Sequence, residues 1–585
     1  MEIKLIHINQ KIDPDSKWFY FGNSYENLSY LKKKLKIDNF LDFSIKKDEI
    51  FEFELNHYLD WTEKNRNKFN DSIYWWSTEF AGKNNLNSSF FRNICSLNFI
   101  INKIKEHKNE NINIIFDDFY IKRAIENNLK LDGNKLFNFL SQFKKFFSTS
   151  SKLVLNIIKL LIKYLILKIV LLIKKNKLNF KDLKIIFNTA AVKITGQNLK
   201  LPYFPGLNLS QKNYIILYLS KKRLIEKINS ISLYERNNII IPERFVNPIE
   251  LLLVIKNFLK VSLIFFKLLS YSRYDIKYLI YIELEKYLKI PDLNFQIWAF
   301  FPILKKLSKK CEINKVFDHY ENMISEHNMT FAVKKYFKNS IIFGYHHTFS
   351  SNQFLCWRYL TKEWESDSKP DYIISSGILS KNFLISQNCP SKKIILGPAL
   401  RYKDLISKKI NNTNIIDNSV AIPLSQIKDH SLEVIEKVSE IHNANKNFIF
   451  YICPHPNLEI DNRIKKIFSY KDNGFILSKN SLRETITKCK FVISSATGAV
   501  YDSIILNKIV LNLRSDLNFC DNYTDFMKNE FNFLTTYNTE EISNILQKCS
   551  KDQIFFNELT EQFKKVSYYF VKNLQCDKDF FEITN

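Results

Sequence analysis

Short apolar runs recur along the chain and end in small or polar residues: Ile112–Phe116, Tyr214–Leu219, Ile341–Phe343, Tyr372–Ser375, Ile394–Gly397, Phe448–Cys453, Phe475–Ser478, Phe491–Ser494 and Ile509–Leu513. Stretches of helical character separate many of them. Strands alternating with helices predict parallel α/β layers. The opening MEIKLIHINQK reads as a first strand and lacks the apolar core of a secretory leader. The last four runs form a tight series with short connections. Ser481-x-x-Glu484 is a capping box that opens a helix between two of them. This predicts a Rossmann-like domain over 418–560, followed by a helical tail over 561–585. The polar, turn-prone stretch Lys408–Ser419 is the expected linker from an N-terminal domain over 1–407.

Two stretches depart from that alternation. Lys152–Lys175 is apolar but punctuated by lysine, and at 100° per residue Lys152, Asn156, Lys159, Lys163 and Lys174 fall within roughly 60° of one another. Lys168 and Lys175 lie off that stripe. In Ile249–Leu269, Lys256, Lys260 and Lys267 again share one face. Neither stretch has a run of about 18 uncharged apolar residues, so spanning helices are not expected. Both fit helices lying in a membrane interface with lysines toward anionic head groups; the alternative is two core helices with solvated lysine stripes. The whole chain agrees with an anionic partner: 86 basic residues against 60 acidic ones give a net charge of +26, though lysine richness runs throughout its 585 residues. Charge alone would also suit RNA, but no RRM, KH or Arg-rich signature is present, so nucleic acid is not expected as a partner. The nine cysteines are scattered without CxxC or zinc spacing, which suits reduced thiols in the cytoplasm.

Candidate chemistry sits where strands end. FIFYIC runs into Pro454-His455-Pro456, and FVIS runs into Ser495-Ala496-Thr497-Gly498 with a helix following. Open α/β sheets bind ligands at such carboxyl ends. His455 and Pro456, with the hydroxyls of Ser494, Ser495 and Thr497 and the backbone at Gly498, are the expected phosphate site, needing no metal. Gly344-Tyr345-His346-His347-Thr348 follows another strand, making His347 a candidate general base or phosphate contact. Gly397-Pro398-Ala399-Leu400-Arg401 brings a guanidinium that can fork onto phosphate or carboxylate. Upstream, Tyr74-Trp75-Trp76-Ser77-Thr78-Glu79 and Gly82-Lys83-Asn84 are candidates to shape a sugar pocket. Glu79, Asp117-Asp118 and Glu321 are the acids available as catalytic base. A Walker A loop, GxGxxG, HExxH and a DxD after a strand are all missing from the sequence, which leaves NTPase, redox and metalloprotease functions without support.

The ordered set GYHHT, GPALRY, CPHP and SSATG, each after a strand, resembles the motif set of bacterial surface-carbohydrate biosynthesis proteins of GT-B type. The likeness covers about Glu321 to Asp502. More distantly the block is similar to capsule Kdo- and sialyl-type transferases and to CDP-glycerol glycerophosphotransferases. The resemblance implies two Rossmann-like domains facing across a cleft, with the amphipathic helices inserted, and a donor site for a CMP moiety at His455, Ser494, Ser495 and Thr497. It implies a catalytic role for His347, although Thr348 replaces the glycine of the glycerophosphotransferase motif. The Asp/Glu-Asp/Glu-Gly base motif is not present as such. The expected function is a metal-independent, inverting glycosyltransferase of surface polysaccharide (capsule, O-antigen) assembly, without cofactor. It would move a sugar from a nucleotide sugar to a glycan or lipid-linked acceptor, in the cytoplasm and peripheral to the anionic inner membrane. Alternatives are a polyol-phosphate transferase, a non-hydrolysing UDP-sugar 2-epimerase, whose donor loop is not evident, and a non-catalytic membrane-associated scaffold.

Overall fold

The computed structural model describes residues 3–131, 135–174, 178, 180, 183–189, 192–195, 198–205, 213–218, 224–289, 291–407, 415–456, 458, 474–574 and 580. Lys175, most of the expected linker (408–414) and the last residues of the expected tail lie outside them. Seventeen strands are described. β1 (Ile3–His7), β2 (Lys17–Phe21) and β3 (Ile112–Phe116) make a small parallel sheet in the order β1-β3-β2. β4 (Ile185–Thr189), β7 (Tyr214–Tyr218), β8 (Lys315–Asp318), β9 (Ile341–His346), β10 (Tyr372–Ser376) and β11 (Ile394–Gly397) make a six-stranded parallel sheet, ordered β11-β10-β9-β8-β4-β7. β5 (Lys193–Thr195) and β6 (Asn198–Lys200) form a separate antiparallel pair. β12 (Ser419–Pro423), β13 (Ile449–Cys453), β14 (Phe475–Leu477), β15 (Phe491–Ser494), β16 (Ile509–Leu513) and β17 (Thr535–Thr536) form the second six-stranded parallel sheet, ordered β14-β13-β12-β15-β16-β17.

Within the last sheet, the six strands taken in chain order lie three-two-one-four-five-six, the doubly wound order of dinucleotide-binding folds. The middle sheet lies two-one-three-four-five-six. Each sheet therefore reverses direction once, between β12 and β15 in one and between β4 and β8 in the other. Helices cover both faces, so β3, β12 and β16 are buried along their full length. These are the two Rossmann-like domains of a GT-B arrangement. Residues 1–407 hold more than one sheet, however: the three-stranded unit is separate from the middle sheet. The Ser481–Glu484 capping box forms in both directions.

The N-terminal unit packs directly on the last domain. The helix Tyr25–Lys34 lies against the helix Lys428–Ala444, with Ser29 Oγ donating to Glu436 Oε1 at 2.9 Å. The helix Lys47–Lys68 starts inside the interface. Lys47 is fully buried, and its Nζ donates to the carbonyls of Ser515 (2.5 Å) and Asn518 (2.6 Å) and to Asp521 Oδ2 (2.9 Å). Arg514 spans Asp521 (2.7 Å) and both oxygens of Asp48 (2.9 and 3.0 Å). At the other end of the chain, the helix Gln553–Leu574 crosses from the last domain to the helix Gly377–Ser386 of the middle sheet. It ends against Gly377, whose φ is +86°; a Cβ there would stand 2.4 Å from the Asn573 carbonyl, so only glycine permits the approach.

Buried charge makes the first of these contacts testable. Lys47→Ala would leave two carbonyls unsatisfied and remove one of the two cations on Asp521. Urea unfolding of this variant should show a loss of about 3–5 kcal/mol, the usual cost of breaking a buried ion pair from one side. A loss below about 1 kcal/mol would mean that the interface does not depend on Lys47.

Candidate active site

The reversal point of the middle sheet holds a dense group of ionisable side chains. Asn188, from the end of β4, donates Nδ2 to Asp318 Oδ1 at 3.0 Å across to β8. His319 follows, with Nδ1 3.3 Å from Asp318 Oδ1 and Nε2 3.8 Å from Glu326 Oε1. Glu326 lies in the first turn of the helix Ile324–Tyr336 and accepts the Glu321 and Met323 amides on Oε2 (2.8 and 3.0 Å), which folds the 321–323 turn back on itself. Glu321 is thereby presented to His347 from β9's end, with Oε1 3.4 Å from Nε2. Tyr203 stands between the two imidazoles, its ring 4.6 Å from His347 and 4.8 Å from His319. His347 Nδ1 is buried without a partner among the described residues.

The reversal point of the last sheet holds the other expected group, but it does not use the hydroxyls in the way the sequence suggests. Ser494 and Ser495 are buried, and Ser495 Oγ is held by His430 Nε2 at 2.9 Å, so it serves the interior. The Ala496 amide donates to the Asp521 carbonyl, which accompanies a φ of +45° at Ala496. Thr497 Oγ1 accepts the Ala499 amide at 3.3 Å. The amides of Thr497 and Gly498 have no partner among the described residues and lie where Arg401 arrives. A Cβ built on Gly498 would stand 3.5 Å from Arg401 Nη2 and 3.5 Å from Thr348 Oγ1. Loops following β9 and β11 of one domain thus meet the loop following β15 of the other, as a shared cleft requires. Arg483 secures the crossing, with Nη2 donating to the Arg401 carbonyl (2.8 Å) and to Asp502 (3.1 Å). The Arg401 guanidinium forms no ion pair among the described residues. His455 is half-buried within reach of Arg401's field, and Pro456 is exposed beside it.

Other sequence candidates fall elsewhere. Trp75 and Trp76 are fully buried core side chains, with Trp76 Nε1 on Asp71 and its ring against His327, so they do not line a sugar pocket. Lys83 is buried in an ion group with Glu363 (2.8 Å), which also holds Lys369 at 2.6 Å. Asp117 accepts from Tyr20 and Asn27, and Asp118 caps the helix Phe119–Leu129. Glu79 is not brought to the cleft group: the charges around it are Glu283 and Lys286, and burial with Glu283's repulsion pushes its carboxyl up to about 8. Tyr203, His319, Glu326 and His430 carry no motif. The chain's return over long separations brings in Tyr203 and His430, whereas His319 and Glu326 lie two and five residues from Glu321.

The electrostatics divide the cleft. Burial, aided by Arg401 and His319, holds His347 well below the ordinary imidazole range, which favours its neutral form. Burial raises the Glu321 carboxyl, although its neighbours His319 and Arg401 oppose the shift. Burial also opposes charge on His319, but Asp318 and Glu326 outweigh it and lift its pKa to about 9. Asp318, His319 and Glu326 place ligand-type atoms within 4.8 Å of one another. A proton on His319 balances part of that acid charge.

No protein-family model matches the chain, and no curated protein matches it in sequence. Solved structures similar to it include Anabaena Alr3699/HepE in complex with UDP-glucose, 11% identical over 68% of this chain and 96% of that one, with a TM-score of 0.36. S. aureus MnaA with UDP is 11% identical over 68% and 100%, with a TM-score of 0.39. TarM is 13% identical over 48% and 56%, with a TM-score of 0.32.

Protonated His319 carries a pH signature. Because its folded pKa of about 9 lies above the ordinary 6.5, its stabilisation is complete below about pH 6.5 and is lost as pH rises through about 9. Wild-type unfolding free energy should therefore fall relative to that of His319→Gln across this window, at a slope approaching about 1.4 kcal/mol per pH unit. Parallel curves for the two proteins would show that His319 is neutral in the folded state.

Proposed function

We propose that the chain is a metal-independent glycosyltransferase of bacterial surface polysaccharide assembly. It takes a sugar from a nucleotide donor, a CMP-sugar by preference, and passes it to a glycan or lipid-linked acceptor as a peripheral protein at the inner membrane surface. The observation that carries this reading is the meeting of two unlike groups at one cleft. On one wall stand a neutral imidazole and a carboxylate, His347 and Glu321, 3.4 Å apart. Arg401, which follows β11 of that same sheet and forms no ion pair among the described residues, reaches across to the loop of Thr497 and Gly498 on the other wall. The first pair suits removal of a proton from an acceptor hydroxyl. The second suits the negative charge that grows on a departing nucleotide phosphate.

In this reaction the acceptor oxygen attacks the anomeric carbon as its proton passes to His347. Glu321, close to Nε2, steadies the imidazolium that results. The bond from the anomeric carbon to the phosphate oxygen breaks, and the nucleotide leaves against Arg401, the Thr497 and Gly498 amides and His455, with the anomeric configuration inverted. Buried Ser495 and His430 hold the shape of the phosphate loop rather than touch the ligand.

The test begins with CMP, CDP, UDP and GDP in a thermal-shift panel, since a ligand bound only by the folded state raises its stability. At least one nucleotide should raise the melting temperature. Arg401→Ala should weaken that nucleotide by about 1.5–3 kcal/mol, the scale of a charged hydrogen bond. His347→Ala should leave nucleotide affinity intact and lower turnover by roughly 10²–10⁴-fold. Absence of any shift across the panel would favour the scaffold. Conversion of a UDP-sugar without any acceptor would indicate epimerisation instead of transfer.

A further inference from the structure

We propose that the outer faces of the helices Lys135–Ile173 and Pro248–Lys267 form one docking surface for an anionic lipid bilayer. This goes beyond the transfer reaction and does not depend on it. Both helices rest their inner faces on the same support, the helix Pro291–Leu307. Leu160, Tyr164, Leu167 and Leu171 are buried from the first, and Leu251, Val254, Phe258, Val261 and Phe265 from the second. Tyr164 Oη donates to the Val246 carbonyl at 2.8 Å, which fixes the first helix beside the start of the second.

The opposite faces are apolar and uncovered. On the first helix Leu155, Ile158, Ile162, Leu165, Ile169 and Leu172 follow one another at steps of three and four residues, and all are exposed, Leu172 by 77%. On the second, Ile249, Leu252, Leu259, Leu263 and Phe266 share one face at steps of three, seven, four and three residues, and all are exposed, Leu252 by 64%. Such contiguous apolar surface is rare on a protein that meets only water. No described helix is long and apolar enough to cross a membrane.

Charge selects the occupant. On the first helix Lys152, Lys159 and Lys163 lie between the exposed apolar stripe and the buried face, and Lys135–Ile173 carries no acid at all. On the second, exposed Lys256, Lys260 and Lys267 are interleaved with the apolar residues, and the single acid, Glu250, is used by its capping box and by Lys306. Lysines of this kind lay their methylenes along an apolar surface and hold the ammonium at head-group level. Lys168, which breaks the stripe in sequence, is turned inward, where its Nζ caps the carbonyls of Glu243 (3.0 Å) and Val246 (2.9 Å). Exposed Lys152, Lys159, Lys256 and Lys267 thus lie at the level where lipid phosphate would meet them, and the lysine that would spoil the pattern is used elsewhere. A second copy of this chain would bring the same unbalanced cations face to face, which disfavours it as the occupant.

Flotation of the full chain with vesicles tests this without donor or acceptor. Wild type should rise with vesicles of phosphatidylcholine containing about 30% phosphatidylglycerol, stay behind with phosphatidylcholine alone, and be released by about 0.5 M salt. The triple change Ile162→Glu, Leu165→Glu and Ile169→Glu should lower the bound fraction at least about tenfold. So should Leu252→Glu with Leu263→Glu. Both sets are exposed, so melting temperatures should hold. Tyr568→Glu, exposed on a distant helix, should change nothing. Lys159→Glu with Lys256→Glu alters charge alone and should weaken binding to anionic vesicles only. Equal flotation with neutral vesicles, or undiminished binding by the glutamate variants, would overturn the proposal. So would a dimer that the same substitutions dissolve in a protein that binds no vesicle.

Discussion

A buried lysine organises much of this molecule. Lys47 has no solvent to stabilise its ammonium, so the segment Arg514–Asp521 must supply both carbonyls and a carboxylate to it. Asp521 cannot then move freely, and the same residue's carbonyl holds the Ala496 amide in the loop after β15. Four residues on, Asp525 accepts from Ser351 Oγ (2.9 Å) and the Asn352 amide, fixing the loop that follows His347. One stretch of the last domain therefore pins both walls of the cleft, and compensation of one buried charge in the N-terminal unit anchors that stretch.

This explains the role of the small three-stranded sheet, which otherwise stands outside the two-domain plan. Its helices brace the last domain from one side, while the helix Gln553–Leu574 ties it to the middle sheet from the other. Held at both sides, the two sheets keep Arg401, from the loop after β11, beside Gly498 in the loop after β15. Side chains on the two walls differ in kind. The middle sheet contributes His347, Glu321 and Arg401, and the last sheet contributes the loop at Gly498 that Arg401 meets.

Most strands of the two six-stranded sheets are legible in the sequence, β15 included, but β4, β8, β12 and β17 are not. Runs such as Phe491–Ser494 and Ile509–Leu513 are continuous and apolar because helices cover both faces. β8, with only Val316 and Phe317 between Lys315 and Asp318, is too short to stand out. β12 begins in the polar stretch expected to be a linker and ends in proline. β4 was likewise not anticipated. These three flank the reversal points, so the strand orders were out of reach. His347, Arg401 and Gly498 stand out in the sequence because each follows a visible strand, and the loops that carry them lie together in the fold. Ser495 was given the wrong environment because its partner His430 lies 65 residues away, and local spacing carries no trace of it. Trp75 and Trp76 illustrate the same blindness: an aromatic pair reads alike whether it faces sugar or core. The lysine-striped helices were recognised as amphipathic, but periodicity cannot say which face is covered; packing on a third helix decides that.

Hydrogen exchange in saturating CMP or UDP tests most directly whether the ligand site is shared between the two domains. A site built across the cleft predicts that nucleotide slows exchange in both the segment around residues 345–349 and the segment around 495–500, together and with the same concentration dependence. Slowing confined to the second segment would mean that the last domain binds nucleotide alone, and a catalytic cleft spanning both sheets would be contradicted.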